Sequence, residues 1–130
     1  MYNTVCNEIV KGKVRMEDEQ VLDNLILELR RGVIVLAVLS QLQVEQYGYS
    51  VMRLLAEKGL GVDQGTLYPL LRRMETQGLL QSSWRVEADR PRRYYVISPQ
   101  GKAILPKVKE EWRKIAGTLE GILGNERKSK

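Results

Sequence analysis

The stretch DQGTLYPLLRRMETQGLLQSSWRVEADRPRRYYVISP, residues 63–99, decides the fold. In its first third, Leu67, Leu70, Leu71 and Met74 recur at the i, i+3, i+4, i+7 spacing of a helix that buries one face. Asp63 stands where a side-chain oxygen can cap that helix, and Gln77-Gly78 ends it. Pro69 removes one backbone bond, but Gly65 four residues earlier has no Cβ to crowd it, so a bend at the helix start is expected. The period then changes. Leu80 to Val86 and Arg93 to Ile97 read as strands, with Glu87-Ala88-Asp89-Arg90-Pro91-Arg92 as a polar turn tipped with arginine and proline. Ser98-Pro99 supplies a cap followed by proline at the first helical position, so another helix starts there.

Upstream, Val51, Met52, Leu54 and Leu55 mark a helix that follows the punctuation Tyr47-Gly48-Tyr49 and stops at Lys58-Gly59. Two helices joined by the short turn Gly59-Leu60-Gly61 form a helix-turn-helix, whose second member can enter a major groove. From Val21 to Leu42 the chain is nearly continuously apolar, and Gly32 is expected to separate a short helix from a longer one. A helix apolar on most sides must be buried on most sides, here both at the domain centre and between subunits. Downstream, Val108, Trp112, Ile115, Leu119 and Ile122 form a narrow seam suited to a partner helix, and Pro106 predicts a kink near Leu105. The architecture expected is mainly α with a small β-hairpin, a winged helix-turn-helix plus a C-terminal dimerisation helix. Its parts are a partly flexible extension over 1–20, the DNA-binding domain over 21–98, the dimerisation helix over 99–123 and a flexible tail over 124–130. Within the extension, Met16 opens an acidic helix start, and Lys11-Gly12-Lys13 before it can be encoded by a purine-rich stretch. Met16 is therefore a candidate translational start beside Met1.

Composition narrows the chemistry. At 130 residues, 43% hydrophobic and 28% charged, the chain suits one globular domain. It has no histidine, and Cys6 is its single cysteine, which leaves no His-based triad, no thiolate cluster and no metal site to expect. Gly59-Leu60-Gly61 lacks the rest of any phosphate-loop pattern, so neither a nucleotide nor another cofactor is implied. The lone cysteine fits a reducing cytoplasm, and the longest apolar run, Val33 to Leu39, is far short of the ~20 residues of a membrane span. The net charge of +5 favours a polyanionic partner, although Lys11, Lys13 and Arg15 contribute to it and local clusters matter more.

Several runs together resemble PadR-family transcriptional regulators. They are Tyr47-Gly48-Tyr49-Ser50, then Gly65-Thr66-Leu67-Tyr68-Pro69-Leu70-Leu71-Arg72-Arg73-Met74-Glu75, then Gly78-Leu79-Leu80 with Trp84, and Arg90-Pro91-Arg92-Arg93-Tyr94-Tyr95 with Ser98 and Gly101. The resemblance spans roughly residues 25–123 in unbroken order. It implies a winged-helix dimer built through the first and last helices, and usually repression relieved by a small molecule. It also implies that Gly65 to Pro69 open the recognition helix and that Arg90 to Arg93 belong to the wing. The sequence departs from the family in its N-terminal residues and in Pro106.

The candidate DNA-binding residues follow. Gln64, Gly65 and Thr66 lie at the helix start, where base edges are met first. Arg72 and Arg73 can reach guanine edges or phosphates, the alternative being a solvated helix face with Glu75 nearby. Tyr68 can pack in the core or bond a phosphate through its hydroxyl, and phosphate contact is favoured. Arg90, Pro91, Arg92 and Arg93 form a tip suited to a narrow minor groove, against the alternative of an ordinary charged hairpin. Trp112 falls where some multidrug-binding members place a dimer-interface tryptophan; it is either core or a platform for a planar aromatic effector, with Val33, Leu36 and Ala37 as candidate walls. Val108, Ile115 and Leu119 complete the expected dimer seam. The expected function is a dimeric repressor released from double-stranded operator DNA by a ligand; the alternative is a winged-helix protein-interaction module.

Overall fold

The computed structural model describes residues 15–124. Residues 1–14 of the expected extension and 125–130 of the expected tail lie outside the described residues. In chain order the described elements are α1 (Met16–Gln41), β1 (Gln46–Tyr47), α2 (Gly48–Glu57), α3 (Gln64–Thr76), β2 (Leu80–Glu87), β3 (Arg90–Ile97) and α4 (Pro99–Leu123). They fall into two units, one up to Val33 and one from Ile34 onward. No described helix is long and apolar enough to cross a membrane.

In the first unit, α1 opens with Glu17, Asp18 and Glu19, three acids at the positive end of the helix dipole. Arg15 pairs there with Asp18 at 3.5 Å and Glu17 at 3.8 Å. Residues Met16 to Gln20, expected in the extension, are thus helical. The break expected at Gly32 is absent, because one glycine costs only about 1 kcal/mol and the helix is 26 residues long. Leu22, Leu25, Ile26, Leu27 and Leu29 are all exposed.

In the second unit, the core joins Ile34, Val38, Leu39 and Leu42 to Val51 and Leu55 of α2 and to Leu67, Leu70, Leu71 and Met74 of α3. Leu80, Tyr95 and Ile97 of the hairpin and Leu105 of α4 close it. The apolar face read from the spacing of α3 is the buried face, and each full burial of such a side chain contributes ~1.5–3 kcal/mol. The helix ends are built from left-handed residues, Gly59 at φ 92° after α2 and Gly78 at φ 88° after α3. Asp63 occupies the N-cap of α3 with its carbonyl receiving the Thr66 and Leu67 N–H groups, but its carboxylate does not cap the helix. It accepts the Thr66 hydroxyl instead, at 2.7 Å. That bond, with smaller help from nearby backbone N–H groups, holds the Asp63 carboxyl below the usual carboxylate range.

The sheet has the order β1-β3-β2 and is antiparallel throughout. The hairpin departs from expectation in its turn: Glu87 pairs with Arg90, so Ala88 and Asp89, at φ 50° and 63°, make the whole turn. Arg90, Pro91 and Arg92 are strand residues, not tip residues. Proline is tolerated because Pro91 opposes Val86 between hydrogen-bonded pairs, and its nitrogen faces the strand edge beyond the reach of β1, which pairs only with Tyr94 and Tyr95. At the far end of β3 the Ile97 N–H donates to the Leu42 carbonyl at 2.7 Å. Ser98 caps α4 as expected, accepting the Gly101 N–H at 2.9 Å, and also donates to the Gly78 carbonyl at 2.6 Å. The helix continues through Pro106 to Leu123.

Candidate nucleic-acid interface

Between α3 and the open edge of β3 lies a cleft of about 520 Å³. Arg72 and Tyr68 line it from the helix and Arg90, Pro91, Arg92 and Arg93 from the strand, with Tyr47, Tyr49, Trp84 and Tyr95 as its aromatic surface. No carboxylate among the described residues lines it. Four guanidiniums facing one space without an acid make an anion site, since each offers a planar fork of donors matched to phosphate oxygens.

The arginines are differently committed. Arg93 donates to Glu75 at 2.9 Å and to Ser82 at 3.1 Å, and its guanidinium lies 5.5 Å from the Trp84 ring. Arg92 covers the Tyr47 ring at 4.6 Å and lies 3.7 Å from Glu87. Arg85, outside the cleft, pairs with Glu45 and covers Tyr94. Among the described residues no ion pair engages Arg72, Arg73 or Arg90, and all three are exposed. Tyr94 donates to Glu87 at 2.7 Å, which pushes its hydroxyl above the ordinary tyrosine range; burial does the same to Tyr95.

The start of α3 presents Gln64, Gly65 and Thr66 to solvent. Tyr68 combines both roles weighed for it: it lines the cleft, yet its ring packs so closely on Gly48 that a Cβ there would lie 2.6 Å from Cε1.

The family model for the Transcriptional regulator PadR-like family matches residues 35–107. The chain belongs to the PadR family of transcriptional regulators. A transcriptional regulator of Mycobacterium tuberculosis, Rv3488, is 38% identical over 85 residues, covering 62% of this chain and 79% of the relative. The crystal structure of a PadR family transcriptional regulator from Eggerthella lenta superimposes with a TM-score of 0.76 at 38% identity, over 84% of this chain and 97% of that one. A PadR-like regulator from Bacillus cereus gives 0.65 at 28% identity, over 74% and 96%.

In this PadR-family chain the family match contains every candidate DNA-facing residue and stops before Trp112. Trp112 is 45% exposed, and Val108, Ile115 and Leu119 are exposed with it along α4. A groove of about 340 Å³ on that helix takes in Ile115 and Leu119 but not Trp112. Of the walls expected for an effector, Val33 is exposed, whereas Leu36 and Ala37 pack against the core of the second unit. Sequence reasoning left Tyr47, Tyr49 and Trp84 out of the site. Tyr47 and Trp84 reach it through the pairing of β1 and β2 with β3, which no local pattern encodes.

Proposed function

We propose that this PadR-family regulator binds operator DNA as a homodimer and represses transcription until a planar aromatic ligand releases it. In each protomer α3 enters the major groove and the β2–β3 hairpin follows the adjoining minor groove. The observation that carries this reading is the acid-free cleft with arginines on both walls. A phosphodiester strand running between helix and hairpin meets Arg72 on one side and Arg90 and Arg92 on the other, while Gln64, Gly65 and Thr66 approach base edges. The exposed seam of Val108, Trp112, Ile115 and Leu119 supports dimerisation through α4. A two-fold dimer places two recognition helices in successive major grooves, so the operator is a near-palindrome with half-sites ~10 base pairs apart or a multiple of it. A two-fold axis also brings Trp112 near its symmetry mate, where a flat molecule can stack; it releases DNA by binding better to a dimer whose hairpins are misplaced.

Fluorescence anisotropy with DNA from the protein's own upstream region, against scrambled DNA, tests the reading at several salt concentrations. Selective binding is expected. Arg72 and Arg90 of two protomers neutralise four phosphates, for a log–log salt slope of about −3.6 or steeper. Equal, weak binding to both DNAs with a flat slope would replace it with a protein-docking module.

A further inference from the structure

We infer that Arg93 is a positioning residue that draws Glu75 away from Arg72 and so keeps the Arg72 guanidinium open to phosphate. The inference rests on the DNA-binding reading and adds a control built into the interface itself. Glu75 lies in the last turn of α3, the negative end of the helix dipole, where a carboxylate is disfavoured. It also lies three residues after Arg72, a spacing at which opposite charges on a helix ordinarily meet. Yet Glu75 does not pair with Arg72. Its Oε1 accepts from Arg93 at 2.9 Å and its Oε2 accepts from the Ser82 hydroxyl at 2.7 Å, while that hydroxyl receives Arg93 Nε at 3.1 Å.

The result is a closed ring of three bonds joining α3, β2 and β3, with both carboxylate oxygens occupied. The register makes it possible: Arg93 opposes Trp84 and Ser82 opposes Tyr95, so both side chains stand on the sheet face that carries the buried Tyr95, Leu80 and Ile97. Were Arg93 uncharged, the nearest cation along the helix for Glu75 would be Arg72, and the pair would neutralise one wall of the cleft. Arg93 therefore acts on DNA through Glu75 and Arg72.

Four variants of the full-length protein decide this: Arg72→Gln, Arg93→Gln, Arg72→Gln/Arg93→Gln and Glu75→Gln/Arg93→Gln. Each is titrated against the upstream fragment and against a short scrambled duplex, with urea unfolding to establish that it is folded. Arg93→Met keeps the stem packed on the rings and replaces Arg93→Gln if the latter unfolds. Arg93→Gln is expected to weaken binding as much as Arg72→Gln, on the order of tenfold near 0.1 M salt for one lost phosphate contact per protomer, with the salt slope lower by ~0.9 for each. The Arg72→Gln/Arg93→Gln double variant binds no worse than Arg72→Gln alone, and Glu75→Gln/Arg93→Gln recovers most of the loss. Additive losses at Arg72 and Arg93 would overturn the inference, since a general charge effect or a loosened hairpin acts whether or not Arg72 is present. So would failure of Glu75→Gln to restore binding. If the pattern appears equally on both DNAs without selectivity, the operator reading fails and the role of Arg93 stands.

Discussion

Gly101→Ala sets two physical arguments against each other. Gly101 is the third residue of α4, and by helix propensity alone alanine there stabilises by up to about 1 kcal/mol. The space around it says the opposite. A Cβ would lie 2.4 Å from the Leu79 carbonyl oxygen and 2.7 Å from Ile97 Cγ1. The carbonyl cannot swing away freely, because it receives the Ser98 N–H at 2.9 Å. Relief requires α4 to back off from the turn after α3, which strains the Ser98 bonds to Gly101 and Gly78. Overpacking costs ~1–3 kcal/mol and loss of a serine cap ~1 kcal/mol, so after the propensity gain the net destabilisation is about 2 kcal/mol. With a urea dependence of ~1.5 kcal/mol per molar, the unfolding midpoint falls by roughly 1.3 M. Ser98→Ala closes a cycle: it costs ~1 kcal/mol in the wild type and much less in the Gly101→Ala background, where the cap is already disturbed. A midpoint that stays put or rises in Gly101→Ala would refute the contact argument.

Gly48→Ala drives a methyl into the Tyr68 ring and costs ~1–3 kcal/mol by urea unfolding; combining it with Tyr68→Ala costs at least ~1 kcal/mol less than the sum, and additivity would sink the packing role. Replacing Ala88-Asp89 by Asn-Gly, which suits two consecutive positive φ angles, stabilises the hairpin by about 1 kcal/mol and raises the melting temperature by ~4–8 °C; an unchanged melting temperature would contradict the turn geometry. Asp63 titrates below its ordinary range in the folded state, so its contribution to stability is present above the unfolded pKa and lost as pH falls through the folded one. Thr66→Val, read by an NMR titration of the Asp63 carboxyl, shifts it upward and weakens that acid-side dependence; no shift would mean the hydroxyl bond is not the cause.

The parts of the fold carried by one segment's own pattern were legible, and the parts made by pairing were not. Leu67, Leu70, Leu71 and Met74 advertise their face through helical spacing, and all four are buried. β1 is two residues long, too short for any alternation, and exists only because β3 accepts it. Arg90 to Arg92 read as turn because charge and proline are turn signals, whereas Pro91 is accommodated by an open strand edge visible only once the register is known. Likewise the candidate interface was located correctly as α3 plus hairpin, but the sequence treats its arginines alike. What separates Arg93 from Arg72 and Arg90 is a partner eighteen residues away in the chain, Glu75.

Beyond Leu105, no side chain of α4 is buried before its end, and Trp112, Ile115, Ile122 and Leu123 stand well exposed. Helices in proteins are held mainly by packing an apolar face, so a helix that anchors only its first two turns has little in its own chain to keep the remainder wound. The order of that distal segment is then conditional on being covered. Far-UV ellipticity falls as the protein is diluted, and the steepness of that fall gauges how tightly whatever covers the helix holds it.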